Sequence, residues 1–109
     1  MNVQKMIWGL EELSDKELQE RLWTGNVDGE MSSFVEAICS IFDDSGLGKV
    51  LDSSEISDQI SSEVREKAIH LSRLVRLVPQ SAAPLDLIQH PAMNDVRSMA
   101  LELLFLLRD

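Results

Sequence analysis

The sequence predicts an all-α fold: a single domain over residues 1–109, built as an irregular orthogonal bundle of five or six short helices. Apolar residues recur at helical spacing along the chain, and no segment shows the alternation of a half-buried strand. Capping residues and prolines fall where these segments start and stop. The helices differ in length and lack heptads, which favours an irregular bundle over an up-and-down one.

Two helices are predicted in the first quarter of the chain. The opening helix is indicated by three apolar residues: Met6, Ile7 and Leu10. Ser14 and Glu17 then have the spacing of a capping box, in which each side chain binds a free backbone N–H at a helix start. The inner face of this second helix should carry three side chains: Leu18, Arg21 and Leu22. Gly25 suits the left-handed turn that ends it.

A second capping box runs from Ser33 to Glu36 and opens the next helix. Its apolar residues recur at i, i+4, i+7 and i+8, which is typical of a core helix. They are Phe34, Ile38, Ile41 and Phe42. The helix should end in the turn 43–46. A short turn or helix follows, and it carries Leu47, Val50 and Leu51.

Prolines delimit the helices of the C-terminal half. The longest helix is predicted from about residue 57 to residue 78, and Pro79 stops it because proline lacks a backbone N–H. Proline also suits the start of the last two predicted helices, 84–88 and 91–107. The final helix is apolar nearly all round, so we expect it to be the central element, packed on several sides.

Charge is the most informative bulk property. Ten Lys and Arg residues stand against 19 Asp and Glu residues, a formal net charge of −9. Residues 1–66 hold 15 acids and 5 bases, whereas residues 67–109 hold 4 acids and 5 bases. Such a field repels nucleic acid and anionic lipid and attracts basic proteins. The alternative is that acidity serves only the solubility of the chain.

The sequence also predicts a compartment. A single cysteine, Cys39, excludes an internal disulfide and fits a reducing cytosol. Residues 1–9 lack the apolar stretch and small-residue cleavage site of a signal peptide. No apolar run approaches the ~20 residues that a membrane span needs. We therefore expect a soluble cytoplasmic protein that is monomeric when free.

Asp43 and Asp44 are predicted to lie at a helix C-terminus, against the negative end of the macrodipole. This arrangement costs a few tenths of a kcal/mol, so local stability does not explain it. The residues expected to bind a partner are Asp28, Glu30, Glu36, Asp43 and Asp44. In the alternative interpretation these are solvated surface acids, and Asp44 or Ser45 helps to form the turn.

No catalytic, cofactor-binding or metal-binding residues are predicted. Cys39 lies on a core helix without a basic neighbour, so we expect a buried, inert thiol. His70 and His90 lack the Cys or spaced carboxylate partners of a metal site. The segment around Ser45 invites comparison with the phosphopantetheine site of acyl carrier proteins, but Gly46 interrupts that pattern. Both tryptophans are expected to be core or lid residues, with partner anchoring as the alternative for Trp23.

Several strings together carry a resemblance that spans nearly the whole chain. They are the segment 13–23, Ser32 to Phe34, Phe42 to Leu47, and His90 to Met93 with Val96 and Arg97. The chain thereby resembles the small helical immunity proteins of bacterial contact-dependent growth inhibition and related polymorphic-toxin systems. The resemblance implies an inhibitor without catalytic residues that binds and blocks a toxin domain. Many such toxins are basic nucleases, including tRNA-cleaving ribonucleases. The alternative is an acidic helical adaptor or secretion chaperone that holds an effector without inhibiting it.

Overall fold

The architecture follows from a computed structural model, which describes residues 2–24, 32–52 and 60–108. The helices are α1 (Val3–Ser14), α2 (Lys16–Trp23), α3 (Phe34–Cys39), α4 (Leu47–Asp52), α5 (Ser62–Val75), α6 (Pro84–Gln89) and α7 (Ala92–Arg108). A π-helical turn, Ser40–Asp44, continues α3. The predicted all-α fold is confirmed, and the described segments contain no strand. The predicted short turn after residue 46 is helical and forms α4.

The junction between α1 and α2 differs from the prediction by one residue. Helix α1 continues through Ser14, whose hydroxyl donates a hydrogen bond to the Glu11 carbonyl over 3.2 Å. The predicted cap at Ser14 is therefore wrong, because that hydroxyl is bound within α1. Asp15 caps α2 instead, and its carboxylate accepts from the Leu18 N–H at 3.1 Å. At the other end of α1, Asn2 is the capping residue.

Helix α5 is shorter than the predicted 57–78, and residues 57–59 lie outside the described part of the chain. Ser61 caps its start by accepting from the Val64 N–H at 3.2 Å. After Val75 the N–H groups of residues 77 and 78 bond carbonyls three positions back, at 3.0 and 3.3 Å. Pro79 disfavours helical geometry at Val78, the residue before it, so the α-helix ends and the chain continues in turns.

Helix α7 is the central element and packs against α1 and α5. Its buried residues are Met93, Val96, Ala100, Leu103 and Leu104. It packs on several sides as predicted, against α1, α5 and α6. One face remains in solvent, where Leu101 and Phe105 are 42% and 56% exposed. Within the described residues, no helix combines the length and apolar character needed to cross a membrane.

The inner face of α2 also differs from the prediction. Gln19 and Trp23 are buried, Leu18 and Leu22 are half-buried, and Arg21 is exposed. Trp23 lies in the core as predicted, and its ring meets Phe34 edge-on with 5.9 Å between centroids. The corresponding prediction for Trp8 is wrong, because its side chain is 60% exposed on α1.

Gly9 sets the distance between α1 and the helix formed by α3 and its π turn. A β-carbon at this position would lie 2.6 Å from Cγ1 of Ile41 and 3.0 Å from the Ala37 carbonyl oxygen. Real side chains do not approach so closely, so the two backbones meet here only because residue 9 is glycine. This contact holds α3 and its π turn closely against α1.

Candidate protein-binding surface

Helix α3 begins at the predicted cap, Ser33, but only the Ser33 half of the predicted capping box is seen. The Ser33 hydroxyl accepts a hydrogen bond from the Glu36 N–H at 3.1 Å, which satisfies one of the free amides of the first turn. The Glu36 side chain is exposed. Its negative charge lies in the first turn, where the helix dipole favours it. Capping thus fixes the helix start and leaves the Glu36 carboxylate in solvent.

The far end of this helix is held by Ser45 and Gly46. Ser45 is buried, and its hydroxyl donates to the Ile41 carbonyl and accepts from the Leu47 N–H at 3.1 Å. Its own carbonyl accepts from the Asn2 N–H at 2.6 Å, which ties the turn to α1. Gly46 has a φ of 86°, a conformation that other residues rarely adopt. The buried hydroxyl also argues against the carrier-protein interpretation, since a prosthetic arm needs an accessible serine.

Glu36, Asp43 and Asp44 form the acidic cluster, and the charge of each acts on the Cys39 thiol. The pKa of Cys39 is raised, and the largest cause is burial of the thiol. Smaller contributions come from Asp43, through its charge and hydrogen bonding, and from the charges of Asp44 and Glu36. All three carboxylates therefore lie close enough to act on one sulfur atom. Cys39 is half-buried rather than fully buried as predicted, but its raised pKa keeps the thiol protonated and weakly nucleophilic.

The acidic cluster carries uncompensated charge. All three of its side chains are exposed, and the ion pairs in the described part of the chain lie elsewhere. They join Lys67 to Glu102 at 3.3 Å and Arg108 to Glu11 at 2.8 Å. Of the five residues predicted to bind a partner, the structure brings these three together. Asp28 and Glu30 lie outside the described residues.

Glu12, another carboxylate of the acidic half, forms hydrogen bonds within the molecule. Glu12 Oε2 accepts from Trp23 Nε1 at 3.1 Å and from the Ser32 hydroxyl at 2.9 Å. It thereby joins α1, α2 and the residues that lead into α3. Sequence reasoning missed this role. A carboxylate 11 positions before a tryptophan carries no local signal that the two side chains will meet.

A second polar network was also missed, and it centres on the buried Gln19 side chain. The Gln19 amide donates to the carbonyls of Glu12 and Leu13 at 3.1 and 2.7 Å and accepts from Arg97 Nε at 3.0 Å. The Arg97 guanidinium also donates to the Ile88 carbonyl. Burial lowers the pKa of Arg97, and the charge of Glu20 opposes that shift. Gln19 and Arg97 thus hold α2 against the α6–α7 junction.

The structure places His70 on α5 and His90 directly before Pro91 and α7. His70 is exposed, and His90 Nδ1 accepts from the Ala92 N–H at 3.1 Å at the start of α7. Among the described residues, no three His, Cys, Asp or Glu side chains lie close enough together to hold a metal ion.

No protein-family model, curated protein or solved structure matches the chain.

Proposed function

We propose that this chain is an immunity protein that binds a cognate toxin domain, a basic nuclease of the tRNA-cleaving kind, and neutralises it. The observation that carries the proposal is the acidic cluster, whose carboxylates are exposed and uncompensated on one helix. The resemblance in the sequence supports the same function. The protein acts in the cytoplasm as a monomer before binding, and it needs no cofactor.

The sign of the charge fits the target. A nuclease must present cations to phosphate groups, and an inhibitor of its cleft presents carboxylates in their place. Charge of opposite sign also steers the two proteins together and raises the association rate. The helix that carries the acidic cluster is held at both ends, by the Ser33 cap and by the buried Ser45. Little conformational freedom is then lost when the partner binds.

Replacing both Asp43 and Asp44 with Asn should weaken binding to the toxin domain at least tenfold, about 1.4 kcal/mol. Asparagine keeps the shape of each side chain but removes two charges. The fold should survive, since acids at a helix C-terminus oppose the dipole. The measurement is calorimetric titration with the toxin domain encoded immediately upstream, paired with survival of cells that express it.

A matched control is Glu63→Gln with Glu66→Gln, which removes two exposed charges from α5 instead. The control should bind and protect nearly as the parent does. If the Asp43 and Asp44 variant also binds and protects like the parent, the interface lies elsewhere and these acids are ordinary surface residues. Tight binding by the parent without protection would favour the adaptor or secretion-chaperone alternative.

Association should slow several-fold or more as the ionic strength rises from about 0.01 to 0.5 M, because salt shortens the range of charge–charge attraction. Dissociation should change less, since close contacts within a complex are screened weakly. Stopped-flow or surface-based kinetics at several salt concentrations provide the measurement. An association rate that is independent of salt would remove electrostatic steering from the proposal.

A further inference from the structure

A groove with an apolar floor lies between α5 on one side and α3, its π turn and the separate helix α4 on the other. The floor includes four half-buried apolar side chains: Ile38, Phe42, Leu51 and Ile69. Two exposed cations line the same groove: Arg73, in the last turn of α5, and Arg76, the residue that follows the helix. None of the three residues of the acidic cluster lines it.

Arg73 and Arg76 differ from three other arginines of the chain, whose side chains have polar partners. Arg65 donates to the carbonyls of Val50 and Leu51 at 3.3 and 3.1 Å. Arg97 belongs to the network around Gln19, and Arg108 forms an ion pair with Glu11. In the described part of the chain, neither the Arg73 nor the Arg76 side chain makes a hydrogen bond or an ion pair. A chain with nine excess negative charges thus leaves two guanidinium groups unpaired beside one groove.

We infer that this groove binds an acidic amphipathic helix of a partner protein. Apolar side chains of that helix would cover the floor, as in other helix-in-groove complexes. Arg73 and Arg76 are three residues apart, and Arg76 keeps helical backbone angles at the end of α5. The two residues therefore lie about 4.5 Å apart along the helix axis, at 1.5 Å per residue. Carboxylates one turn apart on the bound helix match that spacing, and each guanidinium fork can bind a carboxylate through two parallel hydrogen bonds.

The inference does not depend on the proposed immunity function. The acidic cluster favours a basic partner, whereas the groove favours an acidic segment, so the two surfaces take ligands of opposite charge. The groove therefore gives the chain a second docking surface. It suits another protein, or a separate acidic helix within the same complex.

A random peptide library displayed on phage is the probe. The net negative charge of the protein should by itself enrich basic peptides. Enrichment of peptides with apolar residues and with carboxylates one helical turn apart would therefore indicate binding in the groove. The enriched peptide, titrated into isotope-labelled protein, should shift the amide resonances of Ile69, Ser72 and Gln80. Changing both Arg73 and Arg76 to Gln should weaken its binding about tenfold or more. Both side chains are exposed, and circular dichroism should show an intact fold.

The matched control is Lys5→Gln with Lys16→Gln, which removes the same charge from exposed positions of α1 and α2. It should bind the peptide within about twofold of the parent. The inference is overturned if only basic peptides are enriched, or if the perturbed resonances lie outside the groove. It is also overturned if replacing the peptide carboxylates with amides, or the two arginines with glutamine, leaves the affinity unchanged.

Discussion

Replacing Arg97 with Ala should lower the free energy of unfolding by about 2–3 kcal/mol. The change leaves the Gln19 amide oxygen without its donor on a side chain that is 0% exposed, and it removes a donor from the Ile88 carbonyl. A buried acceptor that loses its partner costs about 1–3 kcal/mol. Urea unfolding followed by circular dichroism measures the effect, and a single cooperative transition permits the comparison.

Two further variants separate the network from charge and size. Arg97→Lys keeps the charge, but an ammonium group cannot reproduce the spread of the guanidinium donors, so it should lose about 1 kcal/mol or more. Arg73→Ala removes an exposed arginine without a polar partner and should change stability by less than about 0.5 kcal/mol. Equal unfolding midpoints for Arg97→Ala and Arg73→Ala would show that the network contributes nothing measurable.

Gly9→Ala should destabilise the fold by about 1–2 kcal/mol, although alanine is the better helix former by about 1 kcal/mol. The added methyl group would meet Cγ1 of Ile41 at 2.6 Å and the Ala37 carbonyl oxygen at 3.0 Å. Ile41 is buried and branched at its β-carbon, so it cannot simply swing aside. The thermal midpoint should fall by about 4–8 °C for each kcal/mol lost.

A double-mutant cycle with Ile41→Ala tests the cause. Ile41→Ala alone should cost about 2–5 kcal/mol, because it leaves a cavity. Gly9→Ala should then cost less in that background than in the parent, since the nearest clashing atom is gone. A Gly9→Ala variant that is more stable than the parent, or a cycle without coupling, would contradict the close approach of the two helices.

The candidate surface could be predicted from the sequence only in part. Ser33 was correctly placed as the cap of α3, and the helix was correctly ended near Asp44, because these features depend on neighbouring residues. The π turn and the burial of Ser45 were not predicted. They depend on contacts with α1, including the bond from the Asn2 N–H to the Ser45 carbonyl.

The second helix shows why the inner faces were harder to predict. Its sequence predicts Leu18, Leu22 and the stem of Arg21 on the inner face, but the leucines are half-buried and Arg21 is exposed. Gln19 is buried instead because Arg97, 78 positions away, and the end of α1 satisfy its amide. Burying a polar group is costly unless it is hydrogen-bonded, and sequence spacing does not reveal a partner so distant.

The sequence by itself determined the all-α class and most helix starts and stops. Prolines, capping side chains and helical periodicity act within a few residues, so their physical effects can be read locally. The tertiary structure alone decided which side chains are used inside the molecule and which face solvent. Glu12 is bound by Trp23 and Ser32, whereas Glu36 remains exposed, although both are glutamates of the acidic half. That difference arises because hydrogen-bond partners and apolar neighbours come from distant parts of the chain, and only packing brings them together.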